Sequence, residues 1–334
     1  MRIGGVDLEE EVLVIAEVGN NHEGDMGRAR ELVLRAAEAG AQAVKFQTIV
    51  PERLVSRTQS ARIEQLRRFC LGYDQFSELA ELAARQKILF MSTPFDLESV
   101  RFLAPLVPAF KIASSDNNYD ALLQAVAQTG KPALLSTGMA DMAGIKRACS
   151  VFEGACGNRK AEIVLLHCVS AYPTPSESAN LLAIRSLERE TGHPVGYSDH
   201  TLGIEAAVLS VALGARVIEK HFTLSKTQSE FRDHQLSAEP AELAELVRRV
   251  KVARAALGDG IKRVMPAEQA VVAAARRSAV ARNPLAAGHV IVREDLDWLR
   301  PGGGVAPDAE GTLLGRSLSR AVAAGEMITP DMLR

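Results

Sequence analysis

The 334-residue sequence lacks a strong charge of either sign: 39 lysines and arginines stand against 41 aspartates and glutamates, a formal net charge of −2. That balance excludes the basic footprint of a nucleic-acid binder and the cationic face of a protein held on an anionic membrane. An anionic ligand must then be gripped by local basic residues. No apolar run is long enough to cross a bilayer, and the opening stretch MRIGGVDLEEEV is acidic, unlike a charged and then apolar signal peptide. A cytoplasmic location without membrane attachment is the expectation. Cysteine is scarce. Cys70, Cys149, Cys156 and Cys168 form no CxxC pair and no disulfide-like spacing, so they read as buried free thiols of a reducing compartment. No GxGxxG follows the first apolar run, which counts against a dinucleotide-binding sheet. No internal repeat of fixed period appears.

What is present is hydrophobic material, 47% of the residues, enough for a sizeable core. It falls into eight short β-rich runs: 12–18, 43–47, 88–94, 109–114, 133–138, 162–169, 194–200 and 216–223. Amphipathic stretches such as MGRARELVLRAAEAG and GIEAAVLSVALG lie between them, several closing on a glycine suited to a helix C-terminus. Eight apolar strands, each followed by a helix, predict a (β/α)8 TIM barrel; a doubly wound open sheet is the rival fold. The alternation stops near residue 260. We assign 1–262 to the barrel, 263–276 to a linker and 277–334 to a small compact module of short strands, turns and a PGGG loop.

Barrels carry their sites at the C-terminal strand ends. Here those ends are polar while the strand bodies are apolar. They bear Glu17; Lys45 and Gln47; Thr93; Lys111, Ser114 and Asp116; Ser136; Ser170 and Tyr172; Ser198, Asp199 and His200; and Glu219, Lys220 and His221. Strand alternation sends Ser198 and His200 to one face and Asp199 to the other, and likewise separates Glu219 and His221 from Lys220. Two imidazoles at matching depths of neighbouring strands suit one metal ion with open coordination positions; two satisfied core histidines are the alternative. Lys45 and Lys111, ringed by hydroxyls, suit a phosphate and a carboxylate together; salt bridges to rim acids such as Glu17 are the alternative. Asp199 either supports its loop or takes part in the chemistry.

The stretches IAEVGNNHEGD, AVKFQT, FMSTPFD, FKIASSD, KPALLSTGM, LLHCVSAYPTP, GYSDHTLG, IEKHFT and DHQLSAEP resemble, in order, those of the sialic acid synthase family. The tail, with RRSAVA, AGHVIVREDLDWLRPGGG and GEMITPDML, resembles that family's antifreeze-like (SAF) domain. The resemblance implies condensation of phosphoenolpyruvate (PEP) with an open-chain N-acylated hexosamine, giving a nine-carbon sugar acid and phosphate by C–O cleavage. It implies a domain-swapped homodimer and a divalent metal, manganese foremost, magnesium or cobalt next. Carried over residue by residue, His200 and His221 hold the metal. Lys45, Thr93, Lys111, Ser114, Ser136, Ser170 and Ser198 hold PEP. Gln47, Asp116, Tyr172 and Asp233 face the sugar, as does Arg300 of the partner subunit. Glu17 handles protons, with Lys45 and Lys111 stabilising the anions. Two positions depart from the pattern of N-acetylmannosamine enzymes: Asp116 replaces a common glutamate, and Ser170 an asparagine. Serine is familiar in the legionaminic, pseudaminic and spore-coat branches. The acceptor therefore stays open between N-acetylmannosamine, a diacetamido-trideoxyhexose and an undetermined surface-polysaccharide precursor. A seven- or eight-carbon sugar acid synthase is a rival that needs more basic residues; an ice-binding module needs a regular face that the tail lacks.

Overall fold

The computed structural model describes residues 1–160 and 162–334, which divide into two compact units, Met1–Gly258 and Asp259–Arg334. In the first unit the eight expected runs form eight parallel strands: β1 (Leu13–Gly19), β2 (Ala43–Thr48), β3 (Leu89–Pro94), β4 (Phe110–Ile112), β5 (Ala133–Ser136), β6 (Ile163–His167), β7 (Val195–Asp199) and β8 (Val217–His221). The hydrogen-bonded order is β3-β2-β1-β8-β7-β6-β5-β4. Its two end strands lie against each other, so the sheet is a nearly closed TIM-type barrel. Helices follow the strands, beginning with Met26–Glu38, whose N-cap Asp25 accepts from the Arg28 amide, and ending with Pro240–Leu257.

Period-two alternation explains the layers. Outward residues such as Val14, Ala16, Val44 and Ile218 join the helix faces in one large core. Inward residues Leu13, Ile15, Ala43, Met91, Ala109, Leu134, Val164, Leu166 and Val217 fill the lower barrel. Ile3 and Leu8, from a short hairpin and the turn after it, complete this inner cluster. Following the same faces towards the strand C-termini leads from Ile15 to Glu17, Ala43 to Lys45, Met91 to Thr93, Ala109 to Lys111, Leu134 to Ser136 and Val217 to Glu219. The switch from apolar to polar within each strand confines the costly groups to one end. Gly196 belongs to the filled layer: a Cβ there would come within 2.5 Å of the Val217 carbonyl oxygen and 2.7 Å of Leu166 Cδ2.

In the second unit, β9 (Ser278–Ala281) pairs antiparallel with β10 (Leu296–Leu299). Ala279, Ala281, Ile291, Leu296, Leu313, Leu318 and Ile328 form its own core. Within 263–276, residues Gln269–Ala275 are helical.

Candidate active site

A cavity of about 350 Å³ opens at the C-terminal ends of the barrel strands. The residues that line it include Glu17, Lys45, Gln47, Thr93, Lys111, Ser114, Ser136, Ser170, Tyr172, Ser198, His200 and His221. Twelve of the residues selected from the sequence thus meet in one place. A second cavity, of about 750 Å³, shares Gln47, Phe95, Tyr172, His221 and Arg232 with the first and adds Glu23, Arg62, Asp233 and a wall of Ile49, Leu54, Leu66, Phe69 and Phe231. Asp116 lines neither cavity; it is half-buried, accepts from the Ser115 hydroxyl at 2.9 Å, and its neighbour Ser115 faces the smaller cavity instead. Arg300 is exposed just past β10 in the second unit.

The sequence leaves the two lysines open to an anion site or to salt bridges with rim acids such as Glu17. Both are already ion-paired. Lys45 Nζ lies 2.7 Å from Glu17 Oε2 and 3.5 Å from Glu219 Oε2, and Lys111 Nζ lies 3.9 Å from Glu219 Oε1. The reason is desolvation: Lys45 and Lys111 are 2% and 4% exposed, and a buried ammonium without a counter-charge is costly. The hydroxyl ring remains. Lys45 also donates to Thr93 Oγ1 at 3.2 Å, and Ser198 Oγ donates to Glu219 Oε1 at 2.9 Å. Ser170 Oγ is buried and has no partner.

The two carboxylates are held apart in acidity. Burial pushes Glu17 up to about 7, against the pull of Lys45 and with a push from Glu219. At Glu219 burial also pushes upward, but Lys111, Lys45 and the Ser198 hydroxyl outweigh it and hold the carboxyl below the usual range. Two buried acids of opposite tendency suit proton handling by one and a fixed negative charge on the other. Glu219 was not among the selected site residues. The signal was available, since it shares the inward face with His221 two positions on.

His200 and His221 come together, their ring centroids 5.6 Å apart. Burial lowers both imidazoles, and His200 further lowers His221, which favours the neutral form of each ring. His200 Nδ1 donates to the Val169 carbonyl at 2.9 Å, which leaves Nε2 as the ring's acceptor, with only a long 3.5 Å contact to Ser198 Oγ; His221 Nδ1 is buried without a partner. Neutral rings with uncommitted nitrogens fit a metal ion. The described residues hold no cluster of three or more metal-ligating side chains, so a metal here would take its other ligands from substrate or water. Tyr172 packs against His200 at 4.2 Å, with the Arg232 guanidinium 5.0 Å from its ring centroid. Asp199 points away from the cavity. It accepts from Lys220 Nζ at 2.9 Å and from the Thr201 amide and hydroxyl at 2.8 Å each, which makes it a support of the His200 turn. Cys149, Cys156 and Cys168 are buried free thiols as expected, whereas Cys70 is only half-buried.

The NeuB family pattern matches residues 32–262, and the SAF domain pattern residues 276–334. This chain belongs to the NeuB family. It is an enzyme of the sialic acid synthase kind. An uncharacterized protein of Methanocaldococcus jannaschii is 46% identical over 92% of this chain and 90% of its own. The N,N'-diacetyllegionaminic acid synthase of Legionella pneumophila is 40% identical over 93% and 92%. The crystal structure of the N-acetylneuraminic acid synthetase of Leptospira borgpetersenii superposes with a TM-score of 0.77 at 37% identity, covering 81% of this chain and 94% of that one. The NeuB match spans strands β2 to β8, seven of the eight barrel strands.

Proposed function

We propose that this NeuB family enzyme condenses PEP with the aldehyde form of an N-acylated amino sugar, releasing inorganic phosphate by C–O cleavage. The carrying observation is the convergence of two buried lysines, a hydroxyl ring and two neutral imidazoles in one cavity that opens beside a larger, partly apolar one. The smaller cavity takes PEP. Lys45 and Lys111 face its phosphate and carboxylate, with Thr93, Ser114, Ser136, Ser170 and Ser198 as donors. Their present pairing with Glu17 and Glu219 keeps the cations charged until the ligand enters. The larger cavity takes the acceptor, with Gln47, Tyr172 and Asp233 at its polar end.

The methylene carbon of PEP forms the new bond to the aldehyde carbon, whose oxygen gains a proton and becomes a hydroxyl. Positive charge develops at C2 of PEP, water adds there, and the C–O bond to phosphate breaks as the added water loses its protons. Glu17, with a proton affinity near neutrality, gives or takes a proton at this point, while Glu219 remains anionic and stabilises the cation. A divalent ion, manganese by preference, held by His200 and His221, would polarise the aldehyde oxygen. The acceptor we favour is a diacetamido-trideoxyhexose. The Legionella relative is an N,N'-diacetyllegionaminic acid synthase, and the apolar wall of Ile49, Leu54, Leu66 and Phe69 suits the methyl groups of such a sugar. The working form is a domain-swapped homodimer in the cytoplasm, in which Arg300 of the partner subunit reaches the acceptor's N-acyl group.

The test is phosphate release from PEP against a panel of N-acetylmannosamine, its 6-phosphate and the diacetamido-trideoxyhexoses, with manganese. Release with a diacetamido sugar and little with the 6-phosphate is expected. No release with any member refutes the proposed reaction.

A further inference from the structure

The loop between β8 and the helix Pro240–Leu257 supplies Ser229, Glu230, Phe231, Arg232 and Asp233 to the larger cavity. Its reach across that cavity is visible at two aromatic contacts. Phe231 meets Phe69 at 5.1 Å between ring centroids, and Arg232 covers Tyr172. What holds the loop is the NNHEG segment after β1, which the proposed reaction does not otherwise use. Glu23 Oε1 accepts from His234 Nε2 at 2.9 Å, Ser229 Oγ at 3.0 Å and Arg28 Nη1 at 3.2 Å. His234 is fully buried, with its Nδ1 2.7 Å from the Thr223 hydroxyl. Asn21 Nδ2 donates to the Phe222 carbonyl and to Ser237 Oγ, both at 2.9 Å, and Ser237 Oγ donates to the Asp233 carbonyl at 2.6 Å. Both flanks of Asp233 are thus tied to one segment over 200 residues earlier.

The backbone at Glu23 adds an independent observation. It lies in the left-handed region, at φ 50°, where a residue with a Cβ is strained. Glycine would relieve that strain. A glutamate there places one carboxylate oxygen where it meets three donors at once, two of them on the β8 loop.

We propose that Glu23 and His234 are positioning residues that latch the β8 loop, so that Arg232 and Asp233 face the acceptor sugar. The assignment of the larger cavity to the acceptor rests on the reaction proposed above. Neither Glu23 nor His234 lines the smaller cavity, and Arg232 is the one residue of the latched loop that borders it, whereas Glu23, Ser229, Glu230, Phe231, Arg232 and Asp233 all line the larger one, so the latch acts foremost on acceptor binding.

The experiment uses the full chain with Glu23→Gln, which keeps the size and removes the charge, and His234→Gln as a second variant. Loss of a charge-assisted bond to a buried partner corresponds to about a tenfold rise in acceptor KM. The PEP KM is expected to change less than about twofold, well under one such bond. Hydrogen exchange of residues 224–236 in the ligand-free variants is expected to quicken while β1 to β8 keep their protection. An equal rise of both KM values overturns the proposal, as does a raised acceptor KM with unchanged exchange in 224–236, which would mean direct contact of Glu23 with the sugar. If wild-type protein releases no phosphate with any acceptor, the reaction reading fails, and the exchange measurement alone decides the latch.

Discussion

The buried Lys220–Asp199 pair allows a sharp test of how the His200 turn is held. The two side chains are 1% and 0% exposed, 2.9 Å apart, on the outer faces of β8 and β7. Lys220 also donates to the Thr201 carbonyl at 2.6 Å. Replacing Lys220 with methionine keeps the apolar stem and removes every donor. Asp199 then loses its counter-charge in the core and keeps the Thr201 amide and hydroxyl as donors. Removing one partner of a fully buried pair costs about 3–5 kcal/mol. For a unit of this size that corresponds to roughly a 10 °C fall in Tm. Asp199→Asn should cost a similar amount, because it strands the ammonium instead. The double variant Asp199→Asn/Lys220→Met carries neither charge of the pair, and asparagine still accepts from Thr201, so its cost should fall well below the sum of the singles. Calorimetry of the full chain, read on the barrel's own transition, completes the cycle. A Lys220→Met cost below about 1 kcal/mol, the value of an exposed pair, or simple additivity in the double variant, would refute the argument that this ion pair is what supports the turn.

Gly138→Ala should weaken PEP binding and lower Tm, because its Cβ would stand 2.5 Å from Ser170 Oγ and 2.7 Å from Ser114 Oγ; overpacking of this kind costs about 1–3 kcal/mol, and calorimetric titration with PEP measures the binding part. His22 supplies a pH dependence. Burial holds it down to about 4, below the unfolded value near 6.5, so its neutral form is favoured in the fold. Its contribution is complete above pH 6.5 and is lost as pH falls towards 4, because only the unfolded chain binds the proton in that window; about 2–3 kcal/mol is gone by pH 4.5. Melting curves of wild type and His22→Gln between pH 7.5 and 4.5 should converge by that amount. His200→Ala and His221→Ala should each abolish both the manganese-induced rise in Tm and phosphate release; full activity in either variant after metal stripping contradicts a metal role for the pair.

Much of the barrel and of the smaller cavity's lining was legible in the chain, for a simple reason. Each strand carries its information at period two. The face that buries Leu13 and Ile15 must also present Glu17, and the face of Val217 must present Glu219 and then His221. The apolar runs, the polar strand ends and the separation of Asp199 from Ser198 and His200 follow from that period alone. Pairings across the barrel did not follow. Lys45 finding Glu17 and Glu219, and Glu23 finding His234, depend on which strand ends and loops close on one another, and the second pair is 211 residues apart. Desolvation then decides the charges: a lysine that the sequence leaves open to a ligand or to a rim acid is paired once its surroundings exclude water. The sequence by itself determined which side chains face the barrel interior. Only the tertiary structure decided which of them neutralise one another, and which loop closes over the cavity that remains.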